Sequence, residues 1–276
     1  MIKKLAYKIR PFTSKRIRKL IYKFGLIMYE KAPYPKMEST LYDLKQRGFS
    51  PSTTVDVGAY HGEWTKMFKK IFPSAKVLMI EAQKEKTQKL MEVCEKFSGE
   101  VFCEIALLGA RAGQEVDFVQ METGSSVFEE SSPYARKRLK KILITLDALL
   151  EAYTDFKQID FLKLDVQGYE LEVLKGASAL LKKTEFVLME TSFIPINKGC
   201  PLIFEVMAFM DRMGFRAMDF CSQVRRKDGA LWATDLLFVS DRSRFLPDPQ
   251  LDETNWEITK RARELLRQGV NEQTEP

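Results

Sequence analysis

Apolar positions along this chain gather in short runs of two kinds, and the two kinds alternate. A β-branched run at Thr53, Thr54, Val55 and Val57 breaks at Gly58 and Gly62 and passes into Trp64-Thr65-Lys66-Met67-Phe68, whose apolar spacing is helical. That is strand, tight turn, helix. A second apolar run, residues 75–80, ends in Glu81. The same reading predicts a helix over 84–97, a third strand over 101–106 and a short strand over 115–119. Residues 121–141, with Gly124, Ser125, Ser126, Ser131, Ser132 and Pro133, have loop composition and the length of a functional lid. A short helix begins at Leu146, a fourth strand covers 159–164, and a fifth covers 187–189 and ends in Glu190. A helix over 202–213 is stopped by Gly214, and 215–220 and 236–239 read as the last strands.

Alternation of this kind predicts an α/β fold: a mostly parallel, doubly wound sheet with helices on both faces, and a ligand at the carboxyl ends of the strands. Asp56, Glu81, Asp165 and Glu190 each fall at or near the end of a different apolar strand. Glycine lets a backbone turn tightly and approach a ligand closely, and the helix that follows offers unpaired N–H groups. An acid at the end of the second strand is where such folds hydrogen-bond a ribose diol, which points to Glu81 and a nucleoside-bearing cofactor. Dinucleotide enzymes carry G-x-G-x-x-G. Here Gly58 and Gly62 enclose three residues, so the pyrophosphate fingerprint is absent.

Composition narrows the remaining classes. The 276 residues suffice for one substantial core, read here as a single domain over 37–250. Four cysteines lie far apart without C-x-x-C and His61 is the only histidine, so neither a zinc site nor a disulfide framework is expected. No apolar stretch has transmembrane length and no signal-peptide pattern opens the chain, which predicts a cytoplasmic protein. Charge is uneven. Residues 1–36 hold 11 Lys/Arg against one acid, while the other residues hold 33 basic and 37 acidic side chains. With Ile17, Leu20, Ile21, Phe24, Ile27 and Met28 at helical spacing, this segment reads as a basic amphipathic arm. It suits peripheral contact with an anionic membrane, or equally a helix packed on the main domain. Residues 251–276 are read as a C-terminal helix and tail.

Asp56-x-Gly58-x-x-x-Gly62 resembles the first motif of the class I methyltransferases that use S-adenosylmethionine (SAM), with Tyr60 in place of their middle glycine. Further segments are similar to the FkbM family of those enzymes, in the family's order, from about residue 50 to 240. They are Val55-Asp56-Val57-Gly58-Ala59, Met79-Ile80-Glu81-Ala82, Ala106-Leu107, Gly124-Ser125-Ser126 and Ile144-Thr145-Leu146-Asp147. The most specific is Phe161-Leu162-Lys163-Leu164-Asp165-Val166-Gln167-Gly168-Tyr169-Glu170 with Val173-Leu174-Lys175-Gly176-Ala177. Gln167 stands where many relatives have Glu, and Tyr60 where Asn is frequent.

The resemblance implies a Rossmann-like class I fold and SAM as cofactor. Asp56, Gly58 and Gly62, with Ala59 and Tyr60 between the glycines, would shape the pocket for its methionyl end. Glu81 would hold the ribose, the turn after Ala106 would border adenine, and Asp165 would lie by the amino group or the transferring methyl. For a hydroxyl acceptor the candidate bases are Asp165, then Glu170, Glu190 and, last, His61. Period-two geometry puts Lys163 and Asp165 on one strand face, where Lys163 either assists electrostatically or serves as a structural ion pair. The expected activity is O-methylation of a small molecule or glycan, without nucleic acid. The competing readings are a nicotinamide-dependent oxidoreductase and a non-catalytic membrane- or partner-binding module.

Overall fold

The computed structural model describes residues 36–122, 124–130, 136–195 and 197–246. The basic arm, the C-terminal helix and tail, and the middle of the expected lid therefore lie outside the described residues. In chain order the elements are α1 (Met37–Gln46), β1 (Thr53–Val57), α2 (Glu63–Ile71), β2 (Lys76–Glu81), α3 (Thr87–Lys96), β3 (Val101–Ile105), β4 (Leu107–Leu108), β5 (Glu115–Gln120), β6 (Glu129–Glu130) and β7 (Lys137–Ile144). There follow α4 (Leu146–Leu150), β8 (Phe161–Leu164), α5 (Glu170–Lys175), α6 (Ser178–Leu181), β9 (Phe186–Ser192), β10 (Asn197–Lys198), α7 (Ile203–Arg212), β11 (Phe215–Phe220), β12 (Val224–Arg225) and β13 (Leu231–Ser240).

The central sheet runs β11-β13-β9-β8-β1-β2-β3, with β12 beside β13. Strands β1, β2, β3, β8 and β9 pair in parallel, and β13 is inserted antiparallel between β9 and β11. Strand order reverses between β1 and β8. Ligands of open α/β sheets bind outside the carboxyl ends at such a switch point.

Both faces of the sheet are covered, which is why its middle strands read as continuous apolar runs. Val55, Val57, Ile80, Leu162, Leu164 and Met189 pack under α4 to α7. Val77, Met79, Phe161, Phe186, Leu188 and Leu237 face α1, α2 and α3 on the other side. Phe49, in the turn after α1, joins this second layer by ring contacts with Phe72, Phe161, Phe186 and Phe245.

Three differences from the periodicity reading concern the surroundings of the strand ends. Residues 137–144, of which 137–141 were expected as loop, form β7, which pairs antiparallel with β5 and parallel with β4 in a separate three-stranded sheet. Four of its eight residues are Lys or Arg, and its outward side chains stay exposed, so the strand carries little apolar signal. Glu190 lies within β9 rather than at its end, because pairing with β13 continues to Ser192. The expected helix over 84–97 starts with a 3-10 turn at Lys84–Lys86 before α3.

Candidate active site

An open cleft of about 780 Å³, its mouth included, lies over the switch point. That volume suits a small-molecule ligand. Gly58, Tyr60, Glu81, Ala106 and Asp165 all line it. Asp56, Ala59, Gly62, Lys163, Glu190 and His61 are not among its lining residues.

The β1 turn closes the cleft from below. Gly58 has φ +75, and a Cβ there would fall 1.9 Å from the backbone oxygen of Asp165, so only glycine allows β1 and β8 to meet this closely. Tyr60 is also left-handed, with φ 50, a conformation uncommon for a bulky residue and one that clusters at functional sites. Its N–H donates to Glu81 Oε2 at 2.8 Å, and the Gln83 N–H donates to Glu81 Oε1 at 2.8 Å. Each oxygen of this buried carboxylate thus accepts one backbone N–H and keeps acceptor capacity toward the cleft. Gly62 instead packs toward Val93 and Met79, away from the cleft. His61 stacks on Tyr60 at 3.8 Å and sits 4.0 Å from Glu63.

Under this turn lies a buried ion pair. Register sets Asp56 of β1 against Lys163 of β8, and Lys163 Nζ is 3.1 Å from Asp56 Oδ1. The ammonium also donates to the carbonyl of Gly58 at 3.1 Å, while Thr65 Oγ donates to Asp56 Oδ2 at 2.7 Å. Burial alone would pull the lysine pKa down, but Asp56 and then Asp165 raise it above the ordinary value, so it stays charged. Asp56 is fully buried, so it shapes the pocket by holding Lys163 and α2, not by touching a ligand.

On the opposite side one carboxyl lines the cleft, with others behind it. Asp165 follows β8 with its side chain 40% exposed, and its Oδ2 lies 3.7 Å from Lys163. One step across the sheet stands Glu190, and its register partner on β13 is Asp235. Gln167 bridges the first two, its Nε2 donating to Asp165 Oδ1 at 2.8 Å and to Glu190 Oε2 at 2.9 Å. Burial first, then the charges of Asp165, Glu170 and Asp235, push Glu190 up to about 9. Burial likewise pushes Glu170 up to about 7 against the N–H groups of Val166 and Gly168, which donate to it. Asp235 is raised by burial, although Ser222 Oγ donates to it at 2.5 Å.

Several contacts here escaped sequence reasoning. Ser126 sits in the predicted loop, and its Oγ donates to the carbonyl of Gln167 at 2.9 Å. Asn197 Nδ2 donates to the same carbonyl at 2.8 Å. Glu122 accepts from Tyr60 Oη at 2.9 Å and pairs with Lys86 at 3.1 Å, fastening the segment after β5 to the cofactor turn. Asp235 lies mid-strand, where only register with Glu190 reveals its place.

The sequence matches the description "Methyltransferase FkbM domain" over residues 56–217, more than half of the chain. The chain belongs to this family. It is a SAM-dependent methyltransferase of Rossmann-like fold, and the oxidoreductase and the non-catalytic module fall away. No curated protein sequence matches this FkbM-domain chain. Among solved structures it is similar to magnesium protoporphyrin IX methyltransferase from Synechocystis PCC 6803 with bound SAM, at 11% identity over 83% of this chain and 85% of that one, TM-score 0.45. It is also similar to a putative RNA methyltransferase from Pyrococcus horikoshii, at 11% identity over 75% and 81%, TM-score 0.45. A third is a putative tRNA (m1A22) methyltransferase from Streptococcus pneumoniae in complex with SAM, at 12% identity over 76% and 72%, TM-score 0.44. No helix among the described residues of this methyltransferase is long and apolar enough to cross a membrane.

The pocket suits SAM on its own terms. Glu81 offers two pre-oriented acceptors to a diol, the glycine turn admits close approach, and Leu107, Leu108 and Phe118 give an apolar surface for a flat base.

Proposed function

We propose that the enzyme methylates a hydroxyl of a small molecule or glycan, with Asp165 as general base. The observation that carries this reading is the exposure of Asp165. It alone among the acids of its row lines the cleft, and its nearest cation, Lys163, stands off at 3.7 Å.

Bound in the cleft, SAM supplies a methyl group on an electron-poor sulfonium. Glu81 would hold the ribose hydroxyls and the Gly58 turn the methionyl end, while Ala106 and Leu107 would border the base. Methyl transfer is an in-line displacement, so alignment supplies much of the rate and the base completes it. Asp165 receives the acceptor's proton on a carboxylate oxygen. Lys163, tied to Asp56 and to the carbonyl of Gly58, keeps that carboxylate and the turn in register.

Calorimetry on two variants tests this division of labour. Glu81→Ala should weaken SAM binding by about 1–3 kcal/mol, the range for a hydrogen bond to a charged group. Asp165→Asn should preserve that affinity and depress release of S-adenosylhomocysteine in the presence of a hydroxyl acceptor. Equal loss of affinity in both variants would move Asp165 to the cofactor side and remove it as base.

A further inference from the structure

One end of the molecule gathers large apolar side chains that stay open to solvent. Helix α7 buries Val206 and Met210 in the core, while its other face turns Phe204, 67% exposed, and Met207, 40% exposed, outward. Residues three apart share a helix face. The helix starts at the carboxyl end of the sheet, because Leu202 bridges Ser192, the last residue of β9. Phe220, 46% exposed, closes β11 at the same end, level with Leu236 and through it with Met189 and Leu164. Single exposed apolar residues are ordinary, but large ones grouped at one end of a fold mark a contact surface.

The charge beside them is mainly positive. Strand β13 starts beyond the end of β9, so the hairpin of residues 225–231 stands clear of the central strands at this same end. Its exposed tip carries Arg225, Arg226 and Lys227 against Asp228, which pairs with Arg226 at 2.8 Å. Glu205, the acid in the first turn of α7, is turned back on its own helix, where it accepts the Leu202 N–H at 2.8 Å. The chain also enters the described fold here. Lys36 leads into α1, whose Met37 Sδ accepts from Trp64 Nε1 at 2.8 Å just after the β1 turn. The 11 Lys/Arg of residues 1–36 are joined to the fold at this point, and they outnumber the acids of that side, Glu38 and Asp219.

A phospholipid surface presents anionic phosphates over an apolar layer, and is met by basic and by aromatic or aliphatic side chains on one face. We propose that this end of the molecule docks on an anionic phospholipid surface. Phe204, Met207 and Phe220 enter its apolar boundary, while the 225–231 hairpin and the basic residues before α1 meet the phosphates. Strands β8 and β9 point their carboxyl ends the same way, so Asp165 lies at the docked end of the fold. The docking does not depend on which atom is methylated, and it fails separately from the hydroxyl-methylation reading.

Flotation of the full chain with vesicles at about physiological salt tests it. Wild type should bind vesicles of mixed phosphatidylglycerol and phosphatidylcholine and ignore phosphatidylcholine alone. Phe204→Ser with Met207→Ser should weaken that binding by about tenfold or more. Arg226→Gln with Lys227→Gln should weaken it by roughly fivefold per charge removed. These positions are exposed, so melting midpoint and affinity for S-adenosylhomocysteine should stay at their wild-type values. Phe204→Trp locates the contact, since lipids brominated in their acyl chains should quench more of its fluorescence than of the wild type's.

Vesicle binding unchanged in the serine variant leaves the contact to residues 1–36 alone and overturns docking by this face. A wild-type chain that ignores anionic vesicles overturns it, as does Phe204→Trp without added quenching. So does a dimer that the serine variant dissociates, because Phe204 and Met207 would then cover a second copy of the chain. Equal binding of single-stranded RNA, undiminished in the serine variant, would replace the lipid surface by a general polyanion site.

Discussion

The two ends of the cleft hold carboxylates in opposite ways. At the β2 end, Glu81 is met by backbone N–H groups of Tyr60 and Gln83. Backbone donors are fixed by the turn and leave each oxygen room for a further donor. At the β8 end, Asp165 is met by a side-chain amide, a shared lysine and other acids. Those partners are side chains, each of them held by further side chains. The lesson is one of construction: the carboxylate at the β2 end is held by main chain, the one at the β8 end by side chains that hold one another.

The sharpest way to break this contrast is to remove the wall both ends share. Gly58→Ala forces a left-handed L-residue and drives a Cβ into the backbone oxygen of Asp165. We expect a loss above about 5 kcal/mol, comparable with the whole stability of a domain, read as failure to yield soluble folded protein. A folded variant with normal SAM affinity would show that the two ends are not fixed by this contact. Next in size is Lys163→Met, which leaves Asp56 charged and buried without its partner. Such a change costs about 3–5 kcal/mol, and adding Asp56→Asn should recover part of it in urea unfolding. No recovery would mean that Lys163 matters for its hold on the Gly58 carbonyl instead. The smallest effect belongs to the β8 end alone. Ser126→Ala frees the Gln167 carbonyl and the Phe128 N–H from one hydroxyl and should cost about 1 kcal/mol. A larger loss would show that the loop after β5, and not only Gln167, rests on that hydroxyl.

Much of this was legible in the sequence wherever physics acts locally. The β1 turn announced itself because a β-branched run must break at glycine to turn, and Glu81 because a strand end can be counted. The Lys163–Asp165 relation follows from period two. Its stronger partner, Asp56, does not, since the pairing needs the register of two strands far apart in the chain. Asp235 was hidden for the same reason, on an antiparallel strand whose neighbour the pattern did not name. Strand β7 was missed because its lysines and arginines erase the apolar alternation. Gln167 stood out only as a departure from relatives, while its left-handed backbone and two acid partners emerge from three-dimensional geometry.

The pairing of Asp56 with Lys163 also bears on the order in which the molecule is made. Strands β1, β2 and β3 leave the ribosome close together and have local partners, so they are the natural first piece to collapse. Yet β1 carries a carboxylate in its dry interior whose counter-ion is synthesised much later, on β8. Until that lysine arrives the early sheet must either stay wet along β1 or keep Asp56 protonated. One buried charge therefore withholds completion of the β1–β3 half until the opposite half is in place, and a nascent chain released before residue 163 should hold no finished pocket.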